Sequence, residues 1–135
     1  MAGKKLTTVI TFGTFDLFHV GHLRLLKRAK DLGERLVVGV SSDALNVKKK
    51  IKQPIIPQTH RIEIIKGIAG VDEVFLEESL DLKPTYIQKY GADILVMGND
   101  WAGKFDALNS LCQVVYLDRT ENISTSYLLD YIVNQ

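Results

Sequence analysis

Two histidines three residues apart, His19 and His22, follow a short β-branched run and stand where a helix begins, with Gly21 between them. Imidazoles at a helix N-terminus suit an anion. The free amide hydrogens and the positive end of the helix dipole attract it, and the rings donate further hydrogen bonds to phosphate oxygens. A side chain at position 21 would obstruct the close approach of a flat base or ribose. The blander readings are two capping histidines or a metal pair. A zinc site is disfavoured because the third histidine, His60, is remote and no cysteine or carboxylate cluster accompanies the pair. No metal ligand is assigned.

A second candidate cradle lies in DRTENISTS, where Arg119, Thr120, Ser124 and Thr125 combine a guanidinium, three hydroxyls and another helix N-terminus. Ordinary capping by Ser124 or Thr125 is the alternative. Two such termini with cationic or hydroxyl partners suit a triphosphate, whose charge is spread along its length. Between them GNDWAGKFD offers Asp100, a carboxylate for a magnesium ion or a ribose hydroxyl, and Trp101, which either stacks on a ligand or packs beneath the loop. The lysines at 48, 49, 50 and 52 precede QPIIP. They read either as a solvated face or as a flap bringing Lys50 or Lys52 to a substrate phosphate.

Such residues need a frame. The short apolar runs TTVITF, LVVGV, VFL, ILVM and VVYL hardly alternate, as strands covered on both faces do. Helical spacing appears between them over 22–32, from a cap at Thr59, over 84–90 and over 124–133. The alternation predicts a doubly wound α/β sandwich of about five parallel strands, a Rossmann-like fold in one domain spanning 1–135. In such folds ligands sit beyond the carboxyl ends of the strands, where the three unusual loops fall.

Composition narrows the partners. The chain has 135 residues, 46% apolar, and a formal net charge of +1, so no global field points to nucleic acid or an anionic membrane. Neither is expected as a partner. Cys112 sits in an apolar run and reads as a buried small hydrophobe. Without a leader or a long apolar stretch, a cytoplasmic protein is expected.

The segments ITFGTFDLFHVGH, MGNDWAGKFD and DRTENISTS, in this order over nearly the whole chain, resemble the cytidylyltransferases, most closely the bacterial glycerol-3-phosphate enzymes. The HxGH motif alone is shared with class I aminoacyl-tRNA synthetases, which are far longer. The resemblance implies a homodimer that uses CTP with Mg2+ and transfers CMP to a small phosphorylated alcohol, releasing pyrophosphate. It implies that His19 and His22 are the catalytic histidines and that Thr14, Phe15 and Asp16 form the loop around the nucleotide. Asp100 and Trp101 match a nucleotide-side loop; Arg119, Thr120, Ile123, Ser124 and Thr125 match a phosphate motif. Arg61 matches an arginine beyond the lysine flap.

Three departures bear on function. Asn122 replaces a glycine in the late motif, a change asparagine tolerates because it enters the left-handed region most readily. Ala69 replaces an arginine that serves the acceptor site in the enzymes resembled, and SLDLKP lacks their tryptophan. These two predict that glycerol 3-phosphate is a poor or differently held acceptor. The rival readings are an adenylyltransferase acting on FMN, suggested by KQPIIPQTHR, and a catalytically silent nucleotide-binding protein.

Overall fold

The computed structural model describes residues 5–48 and 53–135. A parallel sheet is formed by β1 (Thr8–Gly13), β2 (Arg35–Ser41), β3 (Glu73–Glu77), β4 (Ile94–Gly98) and β5 (Gln113–Leu117) in the order β3-β2-β1-β4-β5. The chain builds outward from β1 to β3, then crosses back to place β4 on the other side of β1. The strand order therefore reverses between β1 and β4, and a crevice opens at their carboxyl ends.

Period-two burial supplies two cores. Val9, Leu36, Val38 and Val96 face α1 (Val20–Lys30) and α3 (Gln58–Lys66), packing with Leu26, Ala29 and Ile65. Ile10, Val37 and Leu95 face the other way, onto Ile87 of α4 (Lys83–Lys89) and Cys112. Strands apolar on both faces are what helical layers on both sides require. At the cleft end, a Cβ on Gly39 would come within 2.7 Å of both Phe12 and Phe75. Glycine there lets the two rings meet edge to face at 5.8 Å and close the sheet beneath the site.

Helix boundaries depart from the sequence reading in instructive ways. The first helix begins at Val20 and not at position 22, because His19 itself is the cap. Thr59 caps nothing: α3 opens after Pro57, and Gln58 exchanges hydrogen bonds with Asp43 of α2 (Asp43–Lys48). The short α2 escaped the periodicity test entirely. The last helix, α5 (Thr125–Val133), is capped by Ser124, whose Oγ accepts from the Tyr127 amide at 3.0 Å. Among the described residues no helix is long and apolar enough to cross a membrane.

Candidate active site

The loop after β1 is held in an unusual shape. Phe15 and Leu17 have φ of 55° and 49°, a region where side chains other than glycine or asparagine are strained by about 1–2 kcal/mol each. Asp16 between them offsets that strain. Its carboxylate accepts from the amides of Leu17, Ile55 and Ile56, and its carbonyl accepts from the Thr125 hydroxyl at 2.8 Å. One residue thus ties the loop to the segment after the lysine run and to the start of α5.

The histidines form a reciprocal cap. His19 Nδ1 accepts from the Gly21 amide at 3.0 Å, and His22 Nδ1 accepts from the His19 amide at 3.1 Å. Accepting at Nδ1 leaves the proton of each neutral ring on Nε2. The rings stack with centroids 3.8 Å apart. Burial holds His22 down to about 4, with the neighbouring His19 adding to the effect and Asp16 opposing it. Burial and then the positive charge of Arg119 lower His19 as well. Capping and ligand binding are therefore not competing roles: the cap fixes the tautomer and leaves one N–H per ring for a ligand. The His19 ring gives a second reason for glycine at position 21, since a Cβ there would lie 2.8 Å from His19 Cε1 and push the ring aside.

A cavity of about 590 Å³ opens over this cap, within the usual range for a small-molecule site. Thr14, Phe15 and Asp16 line it from the first loop, and His19, Gly21 and His22 from the start of α1. Asp100 and Trp101 enter from the loop after β4; Arg119, Thr120, Ile123, Ser124 and Thr125 enter from the loop after β5. Asp100 and Arg119 face each other at 3.4 Å, both more than half exposed. Trp101 packs on Phe105 at 5.5 Å while still bordering the cavity. Asn122 has φ 62°, so the late loop keeps the left-handed turn expected of it.

Arg61 is placed elsewhere. It is fully buried, and its guanidinium donates to the carbonyls of Ile56, Thr14 and Ser41 and pairs with Asp43 at 2.6 Å. It braces the first loop from beneath and does not line the cavity, so its contribution to nucleotide binding is indirect. Lys50 and Lys52 lie outside the described residues; Gln53, Pro54 and Ile55, just beyond them, border the cavity. Ala69 is exposed in the turn between α3 and β3, where Asp72 bonds the Leu36 carbonyl at the amino end of β2 and Gly70 approaches Lys30. That is the opposite end of the strands from the cavity. The ground for expecting a weakened acceptor site at this position is thereby removed within a single chain.

Other contributors gave no sequence signal. Buried Asn46 accepts from the Thr14 hydroxyl at 2.9 Å and donates to the Ser42 carbonyl, from the helix that periodicity missed. Lys83 and Glu77, both almost fully buried, pair beneath the site, the ammonium lying 4.5 Å from the Phe12 ring centroid. Arg28 reaches the cavity from α1.

The family model described as cytidylyltransferase-like matches residues 10–131. A glycerol-3-phosphate cytidylyltransferase of Bacillus subtilis is 48% identical over 92% of this chain and 95% of its own length. An FAD synthase of Pyrococcus abyssi is 38% identical over 74% of this chain and 68% of its own. The solved lipopolysaccharide core biosynthesis protein of Thermoplasma volcanium superposes with a TM-score of 0.76 at 27% identity, covering 87% of this chain and all of that one.

Proposed function

Because this chain belongs to the cytidylyltransferase-like family, we propose that it is a nucleotidyltransferase that moves CMP from CTP to glycerol 3-phosphate or a closely related phosphorylated alcohol, with release of pyrophosphate. The observation that carries the mechanism is the double histidine cap, which leaves two neutral rings with Nε2–H groups beside a helix N-terminus.

In the reaction an oxygen of the acceptor's phosphate attacks the α-phosphorus in line with the departing pyrophosphate, and no protein nucleophile is needed. Both substrates are anions, so the protein's work is to hold them in line and offset charge that builds on the α-phosphate oxygens. His19 and His22 donate to those oxygens. Because both stay neutral, they act as donors without having to lose or gain a proton between turnovers. Arg119, with Thr120, Ser124, Thr125 and the free amides of α5, holds the β and γ phosphates. Lys50 and Lys52 are assigned to the acceptor's phosphate from the place of the lysine run before QPIIP.

Mg2+ belongs to the same proposal. Among the described residues no group of three or more potential ligands gathers, the Asp16 carboxylate is committed to three amides, and Asp100 is left at the cavity rim. One carboxylate fits a magnesium ion that keeps its waters and is held mainly by the substrate's phosphates, where it would neutralise charge on the triphosphate. A homodimer, on the resemblance, working in the cytoplasm, on the sequence reading, completes the proposal.

The FAD synthase relative supports adenylyl transfer to FMN as the second reading. Pyrophosphate release measured over CTP and ATP, each with glycerol 3-phosphate, other alcohol and sugar phosphates, and FMN, decides between them. Release with CTP and a phosphorylated alcohol is expected. Release with ATP and FMN alone would replace the proposal.

A further inference from the structure

The cavity extends beyond its phosphate end. His22, Leu25 and Arg28 all line it, and their three-residue spacing sets them along one face of α1. From His22 to Arg28 the row spans about 9 Å of helix axis, the scale that separates a nucleotide's α-phosphate from the far edge of its base. Leu25, Leu117 and Leu129, all half-buried, wall this stretch. An apolar slot with a few polar groups at its end suits a flat ring.

At that end Arg28 is exposed and anchored at one corner, its Nη1 donating to the Asp118 carbonyl at 2.9 Å. Among the described residues it pairs with no carboxylate. The phosphate contacts proposed above fall to His19, His22 and the loop after β5, and none of them uses Arg28. We propose that Arg28, with the Asp118 carbonyl beside it, reads the nucleotide base and makes the site selective for cytosine; this rests on the cavity being the nucleotide site.

The chemistry follows from donors and acceptors. A guanidinium only donates, in a planar fork. Cytosine presents two adjacent acceptors, O2 and N3, next to an amino donor. The remaining N–H groups of Arg28 match the first two, and the Asp118 carbonyl, with a second lone pair, accepts from the third. Adenine has no such adjacent pair of acceptors, and uracil sets an N–H against the fork at N3. A donor set against a donor is costly once the bound base covers the fork from water.

The test is equilibrium binding of CTP, UTP and ATP to the full chain and to Arg28→Gln and Arg28→Lys, followed by calorimetry or by the fluorescence of Trp101, the chain's one tryptophan. Because Arg28 is exposed, both variants should keep the parent's circular dichroism spectrum and urea midpoint. Arg28→Gln should weaken CTP at least about tenfold while ATP changes little, so the preference collapses. Arg28→Lys keeps the charge and loses the fork, and should lose most of the preference too. Parallel loss for CTP and ATP, or no loss, overturns the inference and leaves Arg28 as a brace for the Asp118 loop. A parent protein that prefers ATP overturns the cytidylyl reading itself; a CTP-selective parent whose variants stay equally selective overturns this inference alone.

Discussion

Replacing His22 with glutamine separates the electrostatics of the histidine cap from its architecture, because glutamine keeps a polar side chain at this position but cannot titrate. In the folded protein burial lowers His22 from 6.5 to about 4. Between those values the unfolded chain binds a proton at this position that the native protein refuses. Stability therefore falls as pH drops from 6.5 towards 4, by about 3 kcal/mol from this residue. Above pH 6.5 both states are neutral and His22 contributes no pH dependence. His19, lowered in the same direction, adds to the acid loss. Urea unfolding at pH 7 and at pH 4.5 should then show a smaller drop for His22→Gln than for the parent, by roughly 2 kcal/mol of that 3. Turnover should fall by at least about a hundredfold in His22→Ala and in His19→Ala, the scale of losing a transition-state donor. In the parent, the two histidines should add no ionisation to kcat between pH 7 and 8. Equal acid slopes for parent and His22→Gln would refute the buried, neutral imidazole, and near-normal turnover in either alanine variant would refute its role as donor.

Other outcomes follow from the same geometry. Arg119→Ala should weaken CTP more than CMP, measured by calorimetry, because its assigned partners are the β and γ oxygens; an equal loss for both would place the guanidinium on the base, the ribose or the loop. Arg61→Ala leaves Asp43 and three carbonyls without their partner and should cost about 3–5 kcal/mol in urea unfolding, whereas a loss confined to CTP affinity would return Arg61 to the cavity. Gly21→Ala should fold normally yet lower kcat by about tenfold or more as the His19 ring is displaced; unchanged kcat would mean that the ring's placement is not critical.

The strands were legible because both faces of the sheet are covered, which turns each one into a short Val, Ile and Leu run bounded by turns. The histidine cap was legible as chemistry but not as geometry. Type and spacing point to two imidazoles at a helix N-terminus, while the choice of Nδ1 as acceptor depends on backbone angles that no spacing records. Asn122 was readable, since few residues other than glycine hold a left-handed turn cheaply. Arg61 was misplaced because a family match says that an arginine is wanted and not which way it faces; only the tertiary structure shows it filled by three carbonyls and a carboxylate. For Ala69 the sequence position gave no hint that the turn lies at the amino end of the strands, away from the cavity of its own chain. The Lys83–Glu77 pair left no trace, because charges six residues apart across a turn look like ordinary surface until both prove buried.

The claim that the cleft joins CMP to a phosphorylated alcohol is tested most directly by following the label of CTP radioactive at its α-phosphorus, with Mg2+ and glycerol 3-phosphate. The account predicts that the label enters a product whose mass is that of the acceptor plus CMP less water, with one pyrophosphate released per product, and that His19→Ala nearly abolishes the transfer. Label remaining in CTP with every phosphorylated alcohol, while ATP labelled at the same position passes its label to FMN, would contradict it.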